Sequence, residues 1–246
     1  MAEWSNLWSG IGRIHMEREP YMWQFYKMLL GDYSFKGKKV LEIGCGTGVN
    51  SLIMASLGAR VSLLDKTAEA LNLVKENLNG FNPNCELIHG DVFDCALDSD
   101  YDLVHSEGVV EHFLTKKRQR ILDIHAASLK KGGKALIIVP NLSSLPYRFG
   151  KYISQKTSTW VYGNEYPYSK KELVVRMERA GLTVQKLIGG EFIFSFAWLF
   201  APLWLRPTIL RKTSQTAASK QLTKSNYNNP LANRWGRVIG CLAEKN

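Results

Sequence analysis

Three glycines at alternate positions, Gly44, Gly46 and Gly48, follow a short apolar run that contains Glu42. A buried parallel strand has this composition, and glycines after it let the backbone turn tightly into a helix. Because glycine has no Cβ, a ligand can approach such a turn closely. The dinucleotide-binding pattern G-x-G-x-x-G would require glycine where this chain has Val49. The turn therefore predicts a ligand site, and its spacing disfavours an NAD-dependent oxidoreductase.

A carboxylate stands at the end of the next apolar run, where Asp65 follows two leucines. In a nucleotide-binding fold this carboxylate lies beside the glycine turn, and it can accept two hydrogen bonds from a ribose diol. The alternative is that Asp65 caps the helix that begins near Thr67. Its position after the glycine turn favours the ribose role.

The order of these motifs resembles that of the class I S-adenosylmethionine-dependent methyltransferases. The shared features are the spacing E-x-G-x-G-x-G, Asp65, the triplet at 90–92, and the run 102–113. That run ends in a Glu-His pair, as in the small-molecule, ubiquinone-biosynthesis-like group. Further likeness at 130–141 and 167–182 extends the resemblance over about residues 38–189, together with the final strand.

The resemblance implies a Rossmann-like α/β fold with a mixed seven-stranded sheet, helices on both faces and a helical insert before the last strand. It also implies S-adenosylmethionine as the cofactor. Asp91 would accept from the adenine amino group and Val92 would offer its backbone amide to the ring. Ser106 and Glu107 would lie near the methionine part. The full set of implied cofactor residues is Glu42, Gly44, Cys45, Gly46, Gly48, Asp65, Lys66, Asp91, Val92, Ser106 and Glu107.

The Glu-His pair, Glu111 and His112, would face the methyl acceptor by the same resemblance. Imidazole titrates near neutral pH, so His112 is a candidate general base for a hydroxyl acceptor, with Glu111 as the other candidate. The alternative is a structural histidine that only packs and hydrogen-bonds. Methyl transfer is expected to be an in-line displacement that depends on alignment and desolvation. The sequence shows no convincing metal-ligand cluster, so no metal is expected.

Strand and helix patterns alternate along the chain, which predicts a parallel sheet covered on both faces. The expected strands are 39–43, 60–65, 85–89, 101–105, 134–139, 182–188 and 238–243, and the expected helices are 49–57, 67–79, 116–129 and 169–180. Ser169 would cap the last helix, with Glu172 completing a capping box. The stretch 130–133 is expected to be a turn, and 141–168 a long connection without clear periodicity.

One domain is expected from the 246 residues, built as an N-terminal helical cap (1–37), a cofactor-binding core (38–189), an aromatic and basic insert (190–234) and a final strand (235–246). The apolar run of the insert is shorter than the ~20 residues that span a bilayer, and Pro202 interrupts it. The insert could be a core helix, a lid over a hydrophobic acceptor, or a segment at a membrane interface. In the helical cap, Trp23, Phe25 and Tyr26 are expected to pack in the core.

The net charge of +10 is unevenly distributed, because 206–246 holds eight lysines and arginines against one glutamate. Such a patch fits a solvated surface, an anionic membrane contacted through 192–212, or a nucleic acid. An Asn/Asp-Pro-Pro-Tyr/Phe motif is absent after the fourth strand, which disfavours base methylation. The partner expected is a small, hydrophobic or lipid-like acceptor. Alternatives are an RNA or protein methyltransferase, or a cofactor-binding protein without catalysis. Four cysteines without a C-x-x-C pair, and no signal-peptide pattern, predict a cytoplasmic or peripheral-membrane location.

Overall fold

The computed structural model describes residues 2–9, 22–78, 84–193, 195–196 and 227–246. The strands of the described chain are β1 (Lys39–Ile43), β2 (Arg60–Asp65), β3 (Cys85–His89), β4 (Tyr101–Glu107), β5 (Leu129–Pro140), β6 (Leu182–Gly190) and β7 (Val238–Lys245). The helices are α1 (Ala2–Ser9), α2 (Trp23–Leu30), α3 (Val49–Ser56), α4 (Ala68–Asn77), α5 (Thr115–Ser128), α6 (Leu145–Lys156), α7 (Lys170–Arg179) and α8 (Pro230–Trp235), and a short 3-10 turn spans Val110–His112.

These strands form one sheet in the order β3-β2-β1-β4-β5-β7-β6. Strands β1 to β5 run parallel to one another, whereas β7 is antiparallel to both β5 and β6. The predicted mixed seven-stranded sheet is thereby confirmed. The carboxyl ends of β1 to β4 meet at one edge, and open α/β sheets bind their ligands at such an edge.

Side chains alternate between two apolar layers along each strand, which places helices on both faces of the sheet. Val40 packs into a layer with residues of α2, α3 and α4, and the next residue, Leu41, packs into a layer with residues of α5 and α7. Trp23, Phe25 and Tyr26 of α2 are buried in the first layer, as predicted. This sandwich leaves only the ends of the strands open to a ligand.

The stretch 130–133 lies inside a strand, so its prediction as a turn is wrong. Strand β5 begins at Leu129, which pairs with Tyr101, and the register shifts before Leu103. Gly132 adopts φ +72° at this irregularity. A β-bulge with glycine in the left-handed region explains how a turn-like sequence stays within the sheet.

The connection 141–168 contains a helix, α6, that sequence periodicity did not reveal. Its buried face carries Tyr147, Gly150, Lys151 and Ser154, whereas Leu145, Phe149 and Tyr152 are exposed. Polar groups inside and apolar groups outside invert the pattern by which an amphipathic helix is recognised. Pro146 lies in the first turn, where a missing N–H is tolerated.

Only the two ends of the predicted insert (190–234) fall within the described residues. At its start, 192–193 and 195–196 are helical, and α8 lies at its end; residues 194 and 197–226 lie outside the described residues. Among the described helices, each is too short or too polar to cross a bilayer.

Candidate functional site

The glycine turn between β1 and α3 has the backbone conformation that its sequence predicts. Gly44, Gly46 and Gly48 adopt φ values of +69°, +51° and +66°, which residues with a Cβ rarely adopt. A Cβ on Gly44 would lie 2.6 Å from Val109, and one on Gly46 would lie 2.5 Å from Trp8. The turn, called the glycine cradle below, therefore brings backbone without side chains to the ligand edge of the sheet, and the amides of 44–46 and 48 donate within the protein.

Asp65 holds the glycine turn against the end of β2. Its Oδ2 accepts a hydrogen bond from Gly46 N at 3.0 Å, and its Oδ1 accepts from the N and Oγ1 of Thr67 at 2.9 Å each. Asp65 therefore caps the start of α4 and orients the glycine turn at the same time. Oδ1 already accepts twice, whereas Oδ2 can accept one further hydrogen bond, so one bond of the predicted ribose contact is compatible with this arrangement.

The triplet at 90–92 follows β3 at the same edge. The Gly90 amide donates to Asp65 O at 3.0 Å, which ties the triplet to the end of β2. The exposed Asp91 accepts from Phe93 N at 3.0 Å, and Val92 is buried. Lys66 is exposed and Cys45 is buried, so of these two predicted cofactor residues only Lys66 presents its side chain to solvent.

Glu42 lies beneath the glycine turn in a buried polar network. It pairs in register with His105 of β4, and its Oε1 lies 3.9 Å from His105 Nδ1. His105 also contacts the hydroxyls of Tyr26 (3.2 Å) and Ser51 (2.9 Å). Burial raises the pKa of Glu42 to about 8 and lowers the pKa of His105 to about 3. At neutral pH both groups are uncharged, which lets the network lie in the core.

Replacing Glu42 by Gln should remove a pH dependence of stability. The pKa of Glu42 rises from 4.5 to about 8 on folding, so between these values only the unfolded chain loses the proton. Its contribution to stability is fully present below the unfolded pKa and is lost as the pH rises, by up to ~1.4 kcal/mol per pH unit. Urea unfolding from about pH 5 to 9 should show a steeper fall of stability with pH in the wild type than in Glu42→Gln, because the raised pKa of Glu107, about 7, contributes in both proteins. The exposed Glu76 on α4 supplies the control, Glu76→Gln; equal slopes in all three proteins would contradict the prediction.

Two predicted cofactor residues end β4 and differ in their surroundings. Ser106 is buried, and its hydroxyl contacts His125 Nε2 at 3.0 Å on the α5 side of the sheet. Glu107 accepts from Asn50 Nδ2 at 3.2 Å, and burial followed by the charge of Glu191 raises its pKa to about 7. Glu107 is therefore the better placed of the two to meet a ligand with its side chain.

His112 is held in one tautomer by the backbone. Its Nδ1 lies 2.8 Å from Asn164 O, and a carbonyl oxygen can only accept, so Nδ1 carries the hydrogen and Nε2 keeps its lone pair. Burial lowers the pKa of His112, which keeps the imidazole neutral at pH 7. A neutral imidazole with a fixed acceptor nitrogen can take a proton from a hydroxyl group.

Glu111 is fully buried beside this imidazole, and neither carboxyl oxygen has a hydrogen-bond partner. Its Oε1 lies 3.9 Å from His112 Nε2. Burial, and then the charge of Glu165, raises the pKa of Glu111 well above its ordinary value. The raised pKa favours the protonated acid, which can donate a hydrogen bond. The role of Glu111 as a candidate base stays a prediction.

Three further side chains complete this region, and sequence reasoning missed them. Glu165 accepts from Tyr147 OH at 2.5 Å, and its backbone and side-chain oxygens accept from Lys151 Nζ at 2.7 and 3.4 Å. One ligand atom each of Glu111, His112 and Glu165 lie within 4.8 Å of one another. These three residues could hold a cation if Glu111 ionised and Lys151 moved away from Glu165. The expectation that no metal is used stays a prediction.

Helix α1 lies across both halves of the site. The Trp8 ring contacts the glycine turn at Gly46. The Trp4 ring meets the His112 ring edge-on, with centroids 4.9 Å apart, and it stacks with Trp8 at 6.5 Å. An aromatic wall therefore joins the glycine turn to the Glu-His pair.

Comparison with known proteins shows that this region is similar to methyltransferases. Residues 40–133 match the sequence family described as "Methyltransferase domain". The mitochondrial ubiquinone biosynthesis O-methyltransferase of Schizosaccharomyces pombe is 40% identical over 81 residues, which are 32% of this chain and 30% of that protein. The ubiquinone biosynthesis O-methyltransferase of Thiobacillus denitrificans is 26% identical over 162 residues, covering 63% of this chain and 69% of that protein.

A solved structure shows the same fold over most of the chain. The magnesium protoporphyrin IX methyltransferase of Synechocystis, solved with bound SAH, has a TM-score of 0.57 at 14% identity, covering 88% of this chain and 78% of that one. The chain spans less than a third of the length of the S. pombe relative.

Proposed function

We propose that this class I methyltransferase domain binds S-adenosylmethionine and transfers its methyl group to a small, hydrophobic acceptor. The observation that carries the proposal is the glycine cradle, with Asp65 hydrogen-bonded to Gly46 at its centre. The left-handed glycines are closely packed, because a Cβ on them would lie 2.5 to 2.9 Å from a side chain of Trp8, Val109 or Val74. The family match over residues 40–133 supports the same conclusion.

The residues present fit this cofactor. The bare backbone of the glycine turn would let an adenosyl ribose approach closely, and Oδ2 of Asp65 can still accept from a ribose hydroxyl. Asp91 and Val92 would meet the adenine, and Glu107 the methionine part. The exposed Asp91 and the partly exposed Glu107 can reach such groups. Ser106 would contribute through its backbone, because its hydroxyl is engaged by His125.

The cofactor supplies an electrophilic methyl group on a positively charged sulfur. The chain's own residues have to align the acceptor, exclude water and remove its proton. For a hydroxyl acceptor, we assign proton removal to His112 Nε2, whose lone pair is fixed by the bond from Nδ1 to Asn164. Glu111, protonated and unpartnered, would donate a hydrogen bond to the acceptor. Trp4 and Trp8 would shield the pair from water.

An apolar groove of about 520 Å³ supports a hydrophobic acceptor or partner; its lining residues are Leu145, Pro146, Phe149, Phe192, Phe196, Leu231 and Trp235. It lies on α6, whose opposite face carries Tyr147 and Lys151 to Glu165. The ubiquinone-related function of two relatives is consistent with an apolar acceptor.

The acceptor class can be tested with isotope-labelled S-adenosylmethionine, the full chain and a fractionated extract of the source cell. The proposal predicts label in a fraction of low molecular weight that partitions into organic solvent. A reaction without the protein is the control for background label. Label found only in RNA, in protein or in water-soluble metabolites would overturn the acceptor class and favour the corresponding alternative.

We also propose that the face around 192–212 contacts anionic membranes. Phe192 and Phe196, at the start of this range, line the apolar groove together with Phe149 and Leu231, which each expose about half of their surface. The sequence from 206 to 246 is also strongly basic. Apolar anchors with nearby cations bind lipid interfaces. The chain should sediment with phosphatidylglycerol vesicles, and Phe149→Ser should weaken this. Leu57→Ser, at an equally exposed residue outside the groove, should not. Equal sedimentation with neutral vesicles, or of both variants, would contradict the proposal.

A further inference from the structure

A buried arginine on α5, Arg118, satisfies every N–H group of its guanidinium within the protein. Nε and Nη2 donate to the two carboxylate oxygens of Glu172 at 2.8 and 3.2 Å. Nη1 donates to Phe113 O at 3.3 Å and Tyr166 O at 2.9 Å, and Nη2 donates to Pro167 O at 3.3 Å. The guanidinium also lies 3.5 Å above the centre of the Tyr168 ring. All five N–H donors of Arg118 therefore bind protein acceptors, whereas an arginine at the surface would leave several of its donors to water.

The three carbonyls bound by Arg118 belong to two segments that meet at the Glu-His pair. Phe113 directly follows His112, and Tyr166 and Pro167 directly follow Glu165. A second bond joins the same segments, because Tyr166 N donates to Glu111 O at 2.9 Å. Arg118 thus fastens the 3-10 turn to the segment 164–168.

By joining these two segments, Arg118 fixes the positions of two groups that lie against the Glu-His pair, Asn164 O and the Glu165 carboxylate. Segment 164–168 supplies Asn164 O, which holds Nδ1 of His112 at 2.8 Å. It also supplies Glu165, whose carboxylate is close enough to share a cluster with Glu111 and His112. If the segment shifted, His112 would lose the acceptor that selects its tautomer.

We infer that Arg118 is a positioning residue for methyl transfer, which holds Asn164 against His112 so that Nε2 faces the acceptor. Arg118 does not touch the reacting atoms in this account. The inference rests on the proposed role of His112 as base. Lysine cannot replace Arg118, because an ammonium group has three donors at one point and cannot reach three carbonyls and a carboxylate in one plane.

Arg118→Lys tests this inference against a matched control, Arg176→Lys. Arg176 donates to the same Glu172 at 2.8 Å and to Gln119 Oε1 at 3.5 Å, and both partners lie outside the two segments at the Glu-His pair. We expect Arg118→Lys to lower kcat at least about tenfold, since small misplacements at a reacting centre are costly. The KM for the acceptor and the Kd for S-adenosylmethionine should change by less than about threefold, because the glycine cradle is untouched. Arg176→Lys should retain the wild-type kcat.

The ring-nitrogen NMR signals of His112 give a readout that a loss of stability alone would not move. We expect the Nδ1–H tautomer in the wild type and in Arg176→Lys, and a mixture of tautomers in Arg118→Lys. The His112 signals are identified by their absence from the spectrum of His112→Asn. If Arg118→Lys does not fold, Arg118→Gly measured with added guanidinium takes its place, and guanidinium should restore kcat. A wild-type kcat or an unchanged tautomer in the Arg118 variant would overturn the inference. A changed tautomer combined with an active His112→Asn protein would instead refute the proposed base.

Discussion

We expect Gly46→Val to lower the affinity for S-adenosylmethionine by at least about a hundredfold in a calorimetric titration. Gly46 adopts φ +51°, and a Cβ there would lie 2.5 Å from the Trp8 ring. The left-handed conformation costs a residue with a Cβ roughly 1–2 kcal/mol, and the valine methyls would fill the cradle that the cofactor needs. The hydrogen bond from Gly46 N to Asp65 would also be disturbed, since it depends on this conformation.

A valine at Gly37 separates backbone strain from loss of the cradle. Gly37 adopts φ +72°, and no heavy atom lies within 4 Å of the position of its Cβ. Gly37→Val should therefore lose a similar amount of stability and keep its affinity for the cofactor. Equal cofactor affinities in Gly46→Val and Gly37→Val would show that the ligand does not lie on the glycine turn.

His112→Asn lowers the rate of methyl transfer to a hydroxyl acceptor about 10²- to 10⁴-fold, which is the usual contribution of a general base. The asparagine amide can still donate toward Asn164 O, so the change removes the acceptor nitrogen and little else. The measurement is single-turnover transfer from labelled cofactor into the active extract fraction. Affinity for S-adenosylmethionine should stay within about threefold of the wild type.

Glu111→Gln provides the matched comparison. Because burial and Glu165 keep Glu111 protonated, an amide can replace its hydrogen-bond donor, and we expect loss of no more than about tenfold in rate. A wild-type rate in His112→Asn would contradict the assignment of the base. A larger loss in Glu111→Gln than in His112→Asn would mean that an ionised carboxylate acts there.

The fold and the cofactor side were predictable because their signals are local in sequence. The strand before the glycine turn, the turn itself and Asp65 each follow from short patterns, and the structure places them at one edge of the sheet. The cap at Ser169 was found for the same reason, since Glu172 N donates to Ser169 Oγ at 3.1 Å. The other half of the predicted capping box was wrong, because the Glu172 carboxylate binds Arg118 and Arg176.

The acceptor side could not be predicted from single-sequence patterns because it is assembled from distant segments. Lys151 and Glu165 meet beside Glu111 only after α6 has folded with its polar face inward. Arg118 looks like one of several surface cations on α5, and its burial depends on carbonyls some fifty residues away. The sequence does place Lys151 four residues after Tyr147, with Glu165 further along the chain. Such a pattern is too common to predict a buried cluster. The predicted domain limits stay predictions.

Calorimetric titration of the full chain with S-adenosylmethionine, and separately with NAD, tests whether the glycine turn binds an adenosyl cofactor that carries a sulfonium. We expect one S-adenosylmethionine bound per chain, with binding lost in Gly46→Val and retained in Gly37→Val, and no heat with NAD. Binding of NAD alone would contradict the assignment of the glycine turn to an adenosyl cofactor that carries a sulfonium.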